Sequence, residues 1–188
     1  MAGIGQLEEF LEQASVTQAA VFGAACVERA CGILFWVVAR DDRLSDLDLY
    51  RSALDQIWTP EAERSTPGRV SSKMIEGLRE LTVGDEAVRA AAFALHGAVA
   101  MRSALRFGEL GDVSLIRDCS LTVRNHAFRL GKRLGTDLRP EEEAEQECDL
   151  EEIRRISPTD LGAISQIRDR ARGVARSRLE LAVERYGQ

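Results

Sequence analysis

The chain has few of the residues on which β-sheet proteins depend. Only 5% of its 188 residues are aromatic and only 4 are proline, while alanine, leucine, glutamate and arginine recur throughout. Because aromatic residues favour strands and the recurring residues favour helices, the composition excludes an all-β fold. Lysine is also scarce, since Lys73 and Lys132 are the only lysines among 25 basic residues. This use of arginine, with abundant alanine and glycine, indicates a bacterial chain from a GC-rich genome.

The sequence also lacks the usual signals of secretion, zinc binding and membrane insertion. Its 4 cysteines show no zinc-site spacing and no secretory signal peptide is recognisable, so we expect reduced thiols in a cytoplasmic protein. The longest apolar segment, 19–39, is divided by Glu28 and Arg29 into stretches too short to cross a bilayer. This segment therefore predicts a buried helix of a soluble protein and no membrane contact.

Negative charge is concentrated in one short segment. The formal net charge of −6 argues against a dedicated nucleic-acid-binding protein, because such proteins usually carry a basic surface. Between Glu141 and Glu152 there are eight acidic residues and no basic one, so this segment carries −8 and the rest of the chain sums to +2. The acidity is a local property, and we expect it to serve a local purpose.

Hydrophobic periodicity predicts one all-α domain over residues 1–188, folded as a single compact bundle of about eight helices. The helix at 18–39 is apolar nearly all round, so we place it at the centre, with Gly32 as a kink or a close-packing point. The segment 59–69 contains two prolines and predicts a long surface loop. Apolar residues at helical spacing predict one further helix over 70–81.

The acidic helix predicted at 141–156 is the most unusual element. Its few apolar contacts are expected at Ala144, Cys148, Ile153 and Ile156. Carboxylates at steps of three or four share a helix face, and like charges placed in this way repel one another. Three compensating charges stay open: the arginines of the last helix, a basic protein or a divalent cation. The candidate partner-binding residues of this face are Glu142, Glu145, Asp149 and Glu152.

Two charged residues, Glu28 and Arg29, interrupt the apolar central helix. An unpaired charge at such a position would be costly, so both residues must be paired or must face a cavity. Two interpretations stay open: an internal ion-pair network that fixes helix packing, and a polar pocket near the centre of the bundle. His126 lies on the apolar stripe of a later predicted helix and is a candidate third member of that pocket, although a core histidine is the more frequent reason for such a position.

The sequence contains no recognisable set of catalytic or cofactor-binding residues. Di-metal helix bundles use Glu-x-x-His pairs, and neither His96 nor His126 follows a glutamate at that spacing. The Gly-Lys pair ending at Lys132 lies in a helical pattern without the upstream glycine of a P-loop, which argues against a nucleotide site. A nucleophile built from Cys119 or Ser120 with His126 is favoured by no spacing. We therefore expect no catalytic residue, no metal and no cofactor.

Three short segments resemble the YjaG-like family of bacterial proteins. They are Phe22-Gly-Ala-Ala-Cys-Val-Glu-Arg29, Leu54-Asp-Gln-Ile-Trp58 and Glu145-Gln-Glu-Cys-Asp-Leu-Glu-Glu-Ile153, in that order. The Glu-Arg pair and the Ile-Trp ending carry most of the resemblance. It implies a single all-α domain of similar length and no particular activity, because the family is known chiefly as a domain of unknown function.

Two functional hypotheses of different class follow. The first is a non-enzymatic protein that binds a basic protein partner through the acidic helical face, as small acidic immunity proteins of bacterial toxin systems do. The second is a small-ligand-binding protein or an enzyme with a central polar pocket near Glu28 and Arg29. The local charge of −8 and the lack of a recognisable catalytic set favour the first. Nucleic acid is an unfavoured partner in both, and a homo-oligomer stays open.

Overall fold

The computed structural model describes residues 3–59, 69–83, 90–157 and 159–187. In these ranges the chain is helical and contains no strand, which confirms the predicted all-α bundle around a central helix. The nine helices of the described ranges are α1 Gly3–Gln13, α2 Val16–Arg40, α3 Leu44–Trp58, α4 Ser72–Glu76, α5 Arg79–Val83, α6 Ala90–Leu110, α7 Ser114–Leu134, α8 Arg139–Arg155 and α9 Leu161–Tyr186.

Helix α2 forms the centre of the bundle and contacts α3, α6, α7, α8 and α9. It begins after a capping box, in which the Ser15 side chain accepts a hydrogen bond from the Gln18 backbone N–H and the Gln18 side chain accepts one from the Ser15 N–H. Every residue from 19 to 31 is buried. By length and composition α2 could cross a membrane, yet 83% of its most apolar window is buried inside the protein.

Small residues allow other helices to approach α2 closely. A Cβ atom added at Gly97 of α6 would lie 3.0 Å from the carbonyl oxygen of Ala30, and one added at Gly32 of α2 would lie 2.9 Å from the carbonyl oxygen of Ala175 in α9. Real Cβ atoms almost never come as close to a backbone oxygen as at Gly32, and the contact at Gly97 is tighter than most. The close-packing role predicted for Gly32 is confirmed.

Two helices differ most clearly from their predicted bounds. The helix expected over 70–81 is divided into α4 and α5, with Gly77 as the C-cap of α4, and this division raises the number of helices to nine in the described ranges. The acidic helix begins at Arg139 rather than at 141, because a proline is accepted in the first turn of a helix. Only the two end residues of the loop predicted at 59–69 belong to the described part of the chain.

Replacing Gly32 with alanine should destabilise the protein, whereas the same change at Gly173 should stabilise it slightly. At Gly32 the added methyl group would force α2 and α9 apart, and we expect the free energy of unfolding to fall by about 1–3 kcal/mol. At Gly173, on the exposed side of α9, nothing lies within 4 Å, so alanine should gain up to about 1 kcal/mol in helix propensity. Urea denaturation measures both changes, and equal effects would contradict the close approach.

Candidate functional site

A buried ion-pair network joins three helices at the centre of the bundle. The Arg29 Nε atom lies 3.1 Å from Oε1 of Glu142, and its Nη1 atom lies 2.5 Å from Oδ2 of Asp149. Arg178 of α9 reaches the other oxygen of Glu142 at 2.7 Å. The side chains of Arg29, Glu142 and Asp149 have no exposed surface. The positive charge of Arg29 in the central helix is therefore neutralised by carboxylates of the acidic helix α8.

Gln146 completes the polar face that α8 turns toward the core. Its Oε1 atom accepts hydrogen bonds of 2.7 Å from the Ser120 hydroxyl and from Nε of Arg124, both in α7. Its amide nitrogen donates to Glu142 at 2.7 Å and to the backbone carbonyl of Ser120 at 3.3 Å. One glutamine thus holds the acidic helix against α7 and fixes the orientation of the Glu142 carboxylate.

Arg170 of α9 binds the other carboxylates of the predicted face. Its Nη2 atom lies 2.7 Å from both Asp149 and Glu152, and its Nε atom lies 3.5 Å from Glu145. The side chains of Glu145 and Glu152 are 25% and 30% exposed. Burial and then nearby carboxylates raise the pKa of Glu145, although arginines oppose the shift.

The four carboxylates predicted as an external binding face therefore face α2 and α9, although Glu145 and Glu152 are partly exposed. Glu142 and Asp149 are fully buried, and no partner can contact them while the protein is folded. Burial alone would raise the pKa of Glu142, but Arg29 and Arg178 hold it below its usual value. The compensating charges thus come from the chain itself, from the middle of α2 and from α9.

Glu28 and Arg29 contact different neighbours. Among the described residues no ion pair joins these two side chains to each other. Glu28 accepts a 2.7 Å hydrogen bond from the indole N–H of Trp58 and pairs with Arg168 and Arg172 at 3.3 and 3.1 Å. The Arg168 guanidinium also lies over the Trp58 ring, 5.5 Å from its centre. Side chains of α3 and α9 therefore bind the carboxylate of Glu28, near which we predicted a central pocket.

His126 lies apart from both charged residues. Its ring is buried and makes edge-on contacts with Phe93 and His96, at centroid distances of 5.8 and 5.9 Å. Burial and the charge of Arg178 lower its pKa to about 3, and its Nδ1 atom has no hydrogen-bond partner in the structure. The imidazole is therefore neutral at physiological pH and serves as a packing group.

The three buried cysteines and Ser120 are poor nucleophiles in this arrangement. Burial raises the pKa of the Cys26, Cys31 and Cys119 thiols, which keeps them protonated. Ser120 donates its hydroxyl proton to Gln146 and not to a base. Across the described residues no group of three or more histidine, cysteine or acidic side chains is arranged to hold a metal ion.

A second feature is a cleft of about 590 Å³ between α6 and α7. It lies near the C-terminal end of α7, where Gly135 adopts a left-handed conformation with φ 76° and the Thr136 N–H donates to the Gly131 carbonyl. The cleft adjoins the His96–His126 contact, since His96 lines it. The side chains that line it include Phe93, His96, Phe128, Arg129, Lys132 and Arg133.

The cleft is positively charged although the whole chain carries −6. Arg129, Lys132 and Arg133 line it, and none of the three makes an ion pair within the described part of the chain. Cations in the last turn compensate the negative end of a helix dipole, which accounts for Lys132 and Arg133. Arg129 lies before that turn, so the dipole does not account for it.

Sequence reasoning missed Gln146 and the residues of this cleft. A signal for the cleft was present in α7, because Phe128 is a large aromatic residue that lies off the apolar stripe and is followed by three cations. Phe128 is 44% exposed. This pattern indicates a site only when α6 is known to pack beside α7.

No protein-family model, curated protein or solved structure matches this chain. The resemblance to the YjaG-like family therefore stays a prediction. Function has to be argued from the geometry of the central network and of the cleft.

Replacing Glu142 with glutamine should destabilise the protein by about 3–5 kcal/mol, because Arg29 and Arg178 would lose a shared buried carboxylate. The matched control is Glu151→Gln on the same helix. Glu151 is 66% exposed and, among the described residues, pairs with Arg155 alone at 3.6 Å, so its change should stay within about 0.5 kcal/mol. Urea denaturation at pH 7 measures both. A small effect at Glu142 would contradict the internal role of the acidic face.

The pH dependence of stability should reveal His126. The unfolded chain binds a proton at this residue near pH 6.5, whereas the folded protein resists protonation down to about pH 3. Stability therefore falls as pH decreases in this window, by at most about 1.4 kcal/mol per pH unit for this group. His126→Gln should lose this slope between pH 6.5 and 5 in denaturation experiments. Glu142, with its pKa lowered from 4.5, loses its contribution only below that range. Parallel pH profiles would contradict the assignment.

Proposed function

We propose that this protein binds a small organic anion in the cleft between α6 and α7. The observation that carries the proposal is the grouping of Arg129, Lys132 and Arg133 around one concave surface, with no carboxylate among the described residues that line it. At the centre of the bundle the chain pairs its arginines with its own carboxylates, as it does at Arg29 and Arg170. In the cleft no described lining residue supplies such a charge, and an anionic ligand can supply it.

The size and walls of the cleft suit a small molecule. Its volume of about 590 Å³ falls within the range of roughly 300–1,000 Å³ that is usual for ligand clefts. Phe128 supplies apolar surface, the largely buried Phe93 lies behind the cleft on the α6 side, and the cations supply a few polar groups that orient a ligand. Such a mixture of apolar walls and convergent charges is typical of sites for organic anions.

This proposal keeps one of the two predicted classes and changes its location. A small-ligand site was expected near Glu28 and Arg29, whose polar atoms are occupied by Trp58, Arg168 and the carboxylates of α8. The cleft offers the accessible charges that the centre of the bundle does not. We keep the predictions of a non-enzymatic and cytoplasmic protein as parts of the proposal.

A basic protein partner remains a second candidate, supported by the outward side of α8. Glu141 and Glu151 there are 51% and 66% exposed, and the buried half of the same helix holds them in a fixed orientation. Arg139 and Arg155 of the same helix pair with neighbouring carboxylates and reduce the net charge of this side. The anion-binding cleft therefore ranks first.

Titration with naphthalene-1-sulfonate, followed by calorimetry, tests the proposal. The double variant Arg129→Gln and Lys132→Gln should bind this anion at least fivefold more weakly, because each exposed charge contributes about 0.5–1 kcal/mol. Arg117→Gln, an exposed cation earlier in α7, is the control and should leave affinity within about twofold. Raising NaCl from about 0.05 to about 0.5 M should weaken binding to the wild-type protein. Binding that ignores both salt and the double variant would overturn the proposal.

A further inference from the structure

We infer that the anion held between α6 and α7 is a phosphate monoester carried on a planar aromatic ring. The inference rests on the proposed function and specifies its ligand class. It is drawn from three features of the cleft: the number of its cations, their spacing along α7, and the aromatic side chains beside them.

The number of cations favours a doubly charged anion. Arg129, Lys132 and Arg133 bring three positive charges to one surface, and the described lining residues bring no negative one. A carboxylate or sulfonate carries a single negative charge and would leave most of this charge uncompensated, even with the partial negative charge at the C-terminal end of α7 counted. Among ligands with one acidic group, a phosphate monoester carries the most charge, about −1.5 to −2 at pH 7, and leaves the smallest uncompensated charge.

The spacing of the cations suits a group with several acceptor oxygens. Residues three and four apart on a helix are neighbours, about 5–6 Å between Cβ atoms, so Arg129 lies beside both Lys132 and Arg133. An arginine guanidinium binds two phosphate oxygens at once, and a lysine contacts a third as a point charge. Lys132 is one of only two lysines in a chain with 25 basic residues, so two kinds of cation meet in this cleft.

The aromatic side chains favour a ring next to the phosphate. Phe128 directly precedes Arg129, lines the cleft and is 44% exposed, while the largely buried Phe93 lines it from α6. The His96 ring is held by a 2.7 Å hydrogen bond from its Nδ1 atom to the Ala92 carbonyl and by its contact with His126. A planar ring can cover Phe128 while the phosphate attached to it reaches Arg129.

A site of this kind lacks the sequence pattern of the common phosphate-binding loops. P-loops bind phosphate with backbone N–H groups of a glycine-rich turn before a helix. The cleft instead uses side chains near the C-terminal end of α7, where the backbone N–H groups are already bonded within the helix. The absence of a P-loop from the sequence is therefore compatible with a phosphate monoester site here.

Four probes of related structure test the inference by calorimetric titration of the full chain at pH 7.5. They are 1-naphthyl phosphate, naphthalene-1-sulfonate, 1-naphthol and inorganic phosphate, which together separate the contributions of charge and ring. We expect 1-naphthyl phosphate to bind at least fivefold more tightly than the sulfonate and at least tenfold more tightly than inorganic phosphate or naphthol.

Two single variants locate the effect. Phe128→Ala should weaken 1-naphthyl phosphate at least fivefold and leave inorganic phosphate within about twofold, since stacking concerns the ring alone. Arg129→Gln should remove most of the preference for the phosphate ester over the sulfonate. Leu110→Ala, at another exposed apolar residue, is the control and should change neither affinity. Both cleft side chains are exposed, and an unchanged thermal midpoint confirms that each variant is folded.

The outcomes distinguish this inference from the function on which it rests. Equal, salt-dependent binding of the sulfonate and the phosphate ester would overturn the ligand class and leave anion binding in place. Inorganic phosphate binding as tightly as the ester would likewise remove the aromatic ring from the ligand. If no probe binds, or if Phe128→Ala and Arg129→Gln change nothing, both the ligand class and the anion-binding function fail.

Discussion

The buried guanidinium of Arg29 sets the arrangement of the second half of the bundle. Burial alone would lower the Arg29 pKa, but Glu142 and Asp149 raise it well above its usual value, so the side chain keeps its charge. A buried charge of this kind is tolerated only with partners in good geometry, because its desolvation costs several kcal/mol. Helix α8 must therefore present its carboxylates to α2, and α9 must bring Arg170 and Arg178 to balance them. The network contributes more to selecting one packing of α2, α8 and α9 than to the free energy of unfolding.

The helices could be predicted from the sequence because their signals are local. Apolar spacing placed α2 within a few residues, and the run of acidic residues located α8. The orientation of α8 could not be predicted in the same way. Ala144 and Cys148, expected to be its core contacts, are exposed, while Glu142 and Asp149 are buried. Helical spacing shows which residues share a face, but the inward face was decided by Arg29, more than a hundred positions away.

The same reasoning explains how much of the candidate sites could be predicted. Glu28 and Arg29 were identified as paired or pocket-lining residues because a charge in an apolar helix is a local contradiction, and the structure shows them paired. The cleft depends on Phe93 and His96 of one helix meeting Phe128 and Arg129 of another. No spacing within a single helix contains that information. His126 links the two regions. It contacts His96 of the cleft, and the charge of Arg178 in the network helps to lower its pKa.

The ion pairs that surround Arg29 also determine how the protein responds to heat. The hydration of charged groups becomes less favourable as temperature rises, so the cost of keeping Arg29, Glu142 and Asp149 out of water decreases. Polar surface exposed on unfolding also lowers the heat-capacity change, which flattens the stability curve. A core that places charges where aliphatic side chains could stand therefore loses stability more gradually on warming than an all-apolar core of the same size.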